Sequence, residues 1–162
     1  ESELGPLATI AQLAKVESFV ESAKSEGADL VYGGQRPDDP SLTAGWFFMP
    51  TIFDRVANSM YLAQEEIFGP VLGVLKFREE EEAIAMANDT NYGLSAAIFT
   101  ENLNWALKFA QQVESGNIHV NWGTQWRADL MPYGGLKESG MGKEGPKYAV
   151  EEMTETKMVV IH

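Results

Sequence analysis

An α/β fold with a parallel sheet is what this sequence predicts, on three observations. Short apolar runs rich in β-formers alternate with stretches whose apolar residues recur every three or four positions. The connections between them are short, which favours right-handed strand–helix–strand units. No repeat, low-complexity tract or linker interrupts the 162 residues, a length that suits one domain with a real core.

Taken in order, Pro6 opens an amphipathic stretch with Ile10, Leu13, Val16, Phe19, Val20 and Ala23 on one helical face, and Gly27 ends it. Leu30 to Tyr32 predicts a short strand before Gly33-Gly34, and "RPDDPSLTAG" predicts a loop. "WFFMPTIF" is β-rich, although Pro50 lacks a ladder donor and points to an edge or irregular strand. A helical turn is expected to run to Glu66, followed by "VLGVLKF" as a buried strand. "REEEEAIAMANDT" predicts a helix with its acidic residues crowded into the first turn, where they complement the dipole. "LSAAIFT" is a strand, Thr100 the expected N-cap of the helix "ENLNWALKFAQQV", and Gly116 its terminator before the strand "NIHVN". After the long Gly-rich loop "WGTQWRADLMPYGGLKESGMGKEG" come a short helix, "KYAVEEM", and a terminal strand, "KMVVIH". That last strand either pairs at the edge of its own sheet or leaves to pair with another domain.

Composition removes several functions. Twelve basic residues against 24 acidic give a net charge of −12, a field that repels nucleic acid. With no cysteine and only His119 and His162, disulfides, thiolate or His-rich metal sites and a cysteine nucleophile are excluded within these residues. Apolar runs such as "GWFFMP" are too short for a membrane span. "ESELGPLATIAQL" shows no signal peptide, so a cytoplasmic protein is expected. Without a secretory signal, the sequon Asn88-Asp89-Thr90 reads as chance.

Three places draw a chemical question. Gly140-Met141-Gly142-Lys143-Glu144-Gly145 matches G-x-G-x-x-G, the dinucleotide fingerprint. Its context fails: polar "GGLKES" precedes it and only 17 residues follow, so it reads as a glycine-dense turn where backbone approaches something closely. In "QEEIFGP", Glu66 stands at a corner where a carboxylate can accept hydrogen bonds from vicinal hydroxyls; the plainer alternative is a solvated helix-end Glu beside a core Phe68. Arg127 follows a predicted strand end and is flanked by Trp122, Trp126 and Tyr133. It suits a small anion, or else a salt bridge with Asp129 or a bare surface position.

Together, "QEEIFGPVLGVLKF", "NYGLSAAIFT", "SGNIHVNWGT" and "MPYGGLKESGMGKEGPKYAVEEMTETKMVVI" resemble, in order, the C-terminal part of the NAD(P)-dependent aldehyde dehydrogenase superfamily. The likeness begins near Gly5. It implies a three-layer αβα catalytic domain with a mostly parallel sheet, cut short at residues 1–152, and an oligomerisation strand at 153–162. It further implies that Glu66 bonds the nicotinamide ribose and that Phe68 contacts the nicotinamide side of NAD or NADP. Tyr133 would line the substrate tunnel where the family usually has Phe, with Trp126 and Arg127 near a small anionic or hydroxylated aldehyde. Backbone oxygens near Lys137 and Gly140 match cation contacts of some members. The resemblance places the G-x-G-x-x-G turn in the catalytic domain and makes its match to the fingerprint coincidental.

The family's reaction runs through a cysteine thiolate, hydride transfer and a Glu-activated water. These residues contain no counterpart of that Cys or Glu, so no catalytic residue is assigned, and both are expected upstream in a longer polypeptide. Alone, the 162 residues are expected to lack dehydrogenase activity and appreciable NAD affinity. The expected partners are a small aldehyde and further copies of the chain as a dimer or tetramer, with no nucleic acid or membrane. Two alternatives stand beside this: a free-standing assembly module derived from the family, and a dehydrogenase that passes its thioester to coenzyme A.

Overall fold

In the computed structural model, which describes residues 4–162, the first apolar stripe folds as helix α1, Ile10–Ser25. Thr9, rather than a residue near Pro6, starts it: the Thr9 side chain accepts from the Gln12 N–H at 3.1 Å. At the other end Gly27 adopts φ +94°, the Gly27 N–H donates to Lys24 O at 3.2 Å and the Ala28 N–H to Ala23 O at 2.9 Å. That pair of bonds is a Schellman close, which satisfies carbonyls the helix leaves open.

The chain divides into two units, Glu1–Phe77 and Arg78–His162. In the first, β1 (Asp29–Tyr32) pairs antiparallel with β2 (Thr51–Asp54), which pairs parallel with β3 (Val71–Gly73). The loop between β1 and β2 contains one 3-10 turn, Pro40–Leu42, and α2 is Tyr61–Gln64. β2 is therefore central and not an edge, while its pairing with β1 is irregular, with a register shift between Leu30 and Tyr32. Pro50 lies one residue before it, so no ladder donor is lost. The expected buried strand "VLGVLKF" is corrected as well: the strand is only Val71–Gly73, at the sheet's margin, and Leu72 is exposed. The core of this unit joins Leu13, Val16, Phe19, Val20 and Ala23 of α1 to Phe48, Phe53, Val56 and Leu62. Phe19 also stacks on Tyr61, with ring centroids 4.7 Å apart.

In the second unit, α3 (Glu80–Asn88) and α4 (Leu103–Gln112) accompany two small sheets: β4 (Tyr92–Gly93) antiparallel to β7 (Leu136–Lys137), and β5 (Ser95–Ile98) parallel to β6 (Asn117–Val120). Glu80, Glu81 and Glu82 occupy the first turn of α3, and Lys108 of α4 pairs with Glu80 and Glu81. The Asn88 amide donates to Gln112 O and its carbonyl accepts from the Glu114 N–H, each at 2.8 Å, so this sequon asparagine is a stitch between helix ends. Ile84, Ile98, Phe109 and Val113 form the core.

Two expected signals act differently here. Asn102, not Thr100, caps α4 by accepting from the Trp105 N–H, because the Thr100 backbone is already held by the Asn121 side chain at 2.8 and 2.9 Å. The helix ends at Gln112 with Val113 as its C-cap, so Gly116 does not terminate it. Gly116 instead permits a close backbone approach: a Cβ there would lie 1.7 Å from Gly134 O.

The α/β content stands, but the pairing is mixed and spread over three small sheets instead of one mostly parallel one. Of the two alternatives for the terminal run, pairing at the edge of its own sheet does not hold. After α5 (Pro146–Met153), residues 154–162 form no strand, and Met158, Val159, Val160 and Ile161 are exposed. A strand exists only through its ladder, and no described segment supplies one.

Because Phe19 is fully buried and stacked, Phe19→Ala is expected to destabilise by about 3–5 kcal/mol. A urea-unfolding midpoint checks this; a loss below about 1 kcal/mol would show that the α1 stripe is not the organising core.

Candidate functional site

Two chemical groupings emerge, one in each unit. The first is the turn between α2 and β3. The helical turn ends at Gln64, short of Glu66, and Glu65 is already extended with φ −114° and ψ 149°. Three side-chain donors from α1 then hold three successive carbonyls. Lys15 Nζ donates to Glu66 O at 2.7 Å, and Gln12 Nε2 donates to Ile67 O at 2.8 Å and Phe68 O at 2.9 Å.

The held backbone is unusual. Phe68 has φ +53°, an outlier for a bulky residue. Such strain costs about 1–3 kcal/mol, while each net hydrogen bond contributes about 0.5–1.5 kcal/mol. Three bonds therefore suffice to sustain the turn. Ile67 packs on the core while the Phe68 ring is 74% exposed, which overturns the core-Phe alternative. Glu66 is exposed too, and its carboxylate makes no salt bridge among the described residues. The result is an outward-facing carboxylate two residues from an outward-facing ring, on a braced backbone. Sequence reasoning missed Gln12 and Lys15. Their signal was two long polar donors one turn apart on α1, indistinguishable from an ordinary solvated face.

The second grouping lies in the Gly-rich loop. Arg127 Nη1 donates to Glu144 Oε2 at 2.7 Å, and the guanidinium lies over the Tyr133 ring, 4.9 Å from its centroid. Tyr133 and Glu144 face each other across backbone bonds of 3.2 and 2.6 Å. The Glu144 carboxylate, through that hydrogen bond, raises the guanidinium pKa further, so Arg127 stays cationic at any working pH. Arg127, Tyr133 and Glu144 line a cavity of about 350 Å³ together with Asp129, Gly145 and Pro146.

The expected partners of Arg127 need correcting. Glu144, not Asp129, carries the salt bridge, because the glycine turn folds residue 144 back against Tyr133. Nor do the tryptophans frame it. Trp126 and Trp122 line a different cavity, of about 360 Å³, with Ile118, His119 and Val120. His119 is buried there, and its Nε2 has no hydrogen-bond partner among the described residues. A lone histidine in an apolar strand gave no sequence signal of this.

The glycine turn does bring backbone close to something, and that something is the chain's own α5. The Lys143 N–H donates to Glu152 Oε1 at 2.9 Å, and a Cβ on Gly142 would lie 2.5 Å from Glu152 Oε2. Lys143 Nζ reaches back to Gly134 O at 3.0 Å and Gly135 O at 3.4 Å, pinning the turn beside Tyr133. An internal carboxylate thus occupies the turn's amide. Nearby, Lys137 Nζ is surrounded by Asn88 O at 2.7 Å, Thr90 O at 3.1 Å and Glu114 Oε2 at 2.9 Å.

Comparison with known proteins gives a consistent result. The model of the aldehyde dehydrogenase family matches residues 1–159. A 3-sulfolactaldehyde dehydrogenase of Priestia aryabhattai is 41% identical over all of this chain and 32% of its own length. A lactaldehyde dehydrogenase of Methanococcus vannielii is 43% identical over all of this chain and 33% of its own. The chain thus spans about a third of the length of these curated relatives. Among solved structures, a Mycobacterium tuberculosis aldehyde dehydrogenase complexed with NAD+ superposes with a TM-score of 0.89 at 41% identity, covering 95% of this chain and 31% of that one.

The braced turn generates a stability prediction. Phe68→Gly removes the ring and also the left-handed strain, so it is expected to be neutral or to stabilise by up to about 1 kcal/mol. A core phenylalanine would instead lose about 3–5 kcal/mol, and the unfolding midpoint separates the two.

Proposed function

This chain belongs to the aldehyde dehydrogenase family, and from that premise we propose that it is the C-terminal part of an NAD(P)-dependent enzyme oxidising a small anionic or hydroxylated aldehyde to its acid. The carrying observation is the braced Glu66–Phe68 turn. A carboxylate with both oxygens available can accept from two vicinal hydroxyls, the pattern a ribose presents, and an exposed ring two residues on offers a flat apolar face. The exposed Glu66 and Phe68 side chains therefore fit a nicotinamide nucleotide, NAD or NADP. When bound, that cofactor would supply hydride acceptance.

The chain's own residues do the rest of what is assigned here. Gln12 and Lys15 fix the backbone from which Glu66 and Phe68 project, which reduces the main-chain ordering lost on binding. Arg127 supplies a permanent positive charge at the aldehyde's far end, with Tyr133 under it and Trp126 on the neighbouring cavity. Among the similar dehydrogenases, two are named for sulfolactaldehyde and lactaldehyde, which fits a site for short substrates with a sulfonate or hydroxyl, and another is named for betaine aldehyde. The thiol nucleophile lies in polypeptide beyond these residues, since they contain no cysteine. In that longer polypeptide the three small sheets become part of a three-layer catalytic domain. The exposed apolar run at 158–161 pairs with another copy of the chain, giving a dimer or tetramer.

Glu66→Gln in the full-length enzyme is expected to raise the KM for NAD(P) by about 10-fold, the scale of a charged hydrogen bond. An unchanged KM would remove Glu66 from the cofactor site. Arg127→Ala should lower kcat/KM for a sulfonated or carboxylated aldehyde by about 10- to 100-fold. Parallel assays with a neutral aldehyde of equal length check it: an equal loss for both would exclude the anion clamp.

A further inference from the structure

Arg127 does not stand open in its cavity. Its Nη1 is engaged with Glu144 Oε2 at 2.7 Å, while its flat face lies over Tyr133. The rim of the same cavity also carries Asp129. One positive group therefore meets two negative ones, and an arriving anion faces an unfavourable local field.

We propose that Glu144 is a specificity-determining residue. Its carboxylate is the resident counter-ion of Arg127, and an anionic aldehyde gains the guanidinium by exchanging with it. This rests on the reading of Arg127 as the anion clamp.

Three features make the exchange feasible. First, the pair is open to water, with the two side chains 48% and 65% exposed, so solvent screens it and little is lost when it parts. Second, Glu144 holds Arg127 by a single hydrogen bond through Nη1, whereas a carboxylate, sulfonate or phosphonate can take the planar fork in a bidentate grip. Third, the groups that exchange are separable from the groups that hold position. The Glu144 backbone is fixed to Tyr133 by 3.2 and 2.6 Å bonds, and the guanidinium stays over the Tyr133 ring. Only the Glu144 side chain has to swing.

The consequence is a threshold. A neutral hydroxylated aldehyde has no charge with which to displace Glu144, so the ion pair persists while it binds. A strong anion competes for the guanidinium and is selected to the extent that it outbids a tethered carboxylate. Glu144 thus sets how strongly the site prefers anions.

The test uses the full-length enzyme in four forms: parent, Arg127→Ala, Glu144→Gln and the double variant. Each is assayed at low ionic strength with a short aldehyde ending in a sulfonate and with a neutral hydroxylated aldehyde of the same length. The readout is the ratio of the two kcat/KM values, which a general loss of activity does not move. Glu144→Gln is expected to raise the ratio in favour of the anion by about 3- to 5-fold, through KM, as one exposed charge pair allows. In the Arg127→Ala background the same change should raise it by less than half as much. Glu144→Ala, which cannot substitute an amide for the carboxylate, should reproduce the rise. If Arg127→Ala lowers the ratio but neither Glu144 variant raises it, the counter-ion role is overturned and the clamp stands. If Glu144→Gln raises the ratio equally with and without Arg127, the effect is a general field and the exchange is overturned. If Arg127→Ala leaves the ratio where it was, the clamp fails, and this inference fails with it.

Discussion

The hold that α1 keeps on the 66–68 carbonyls is the constraint on which the exposed Glu66–Phe68 corner depends. A solvent-exposed carboxylate next to an exposed phenylalanine would ordinarily be a mobile corner. Here Gln12 and Lys15 spend three donors on its backbone, and the aromatic stacking of Phe19 on Tyr61 ties α1 to the helical turn that leads into it. The same helix whose apolar stripe builds the core thus aims the polar corner from its other face. Core packing and site geometry are two sides of one element, so a loss of register in α1 would disturb both.

Charge is handled differently in the second unit. A chain of net charge −12 devotes one of its 12 basic groups to Arg127 and then neutralises it with Glu144. Left alone, a guanidinium on an exposed loop beside a Gly-rich turn would attract any anion. Partnered with an exposed carboxylate, it is occupied yet exchangeable, because screening keeps such pairs weak. Tyr133 supplies a fixed surface under the guanidinium. The glycine turn, pinned by Lys143 and Glu152, brings residue 144 back to residue 133.

Exposed apolar side chains mark where this chain expects company. Phe68, Leu72 and Val31 in the first unit, and Leu130, Met153, Val159 and Ile161 in the second, lie open to solvent. Burying such side chains is worth about 1.5–3 kcal/mol each, so leaving many of them open is a standing incentive for association. The chain spans about a third of the length of its curated relatives.

Much of this was legible in the residues. The stripe on α1, the acidic first turn of α3, the strands at 29–32, 95–98 and 117–120, and the family pattern were all readable, because each rests on local periodicity or on an ordered set of motifs. The motif order was also enough to nominate Glu66, Phe68, Arg127, Tyr133 and Trp126. What the sequence could not decide was partnership. Thr100 or Asn102 as the cap, Asp129 or Glu144 as the counter-ion, Phe68 as core or as surface, and Trp126 beside Arg127 or away from it all depend on which distant segment arrives first at a given hydrogen-bonding group. That is a question of chain path, with separations of 17 residues for Arg127 to Glu144 and 56 for Gln12 to Phe68. The terminal run 154–162 shows the other side of the same rule: its strand-like composition is local, but a strand requires a neighbour, and composition cannot provide one.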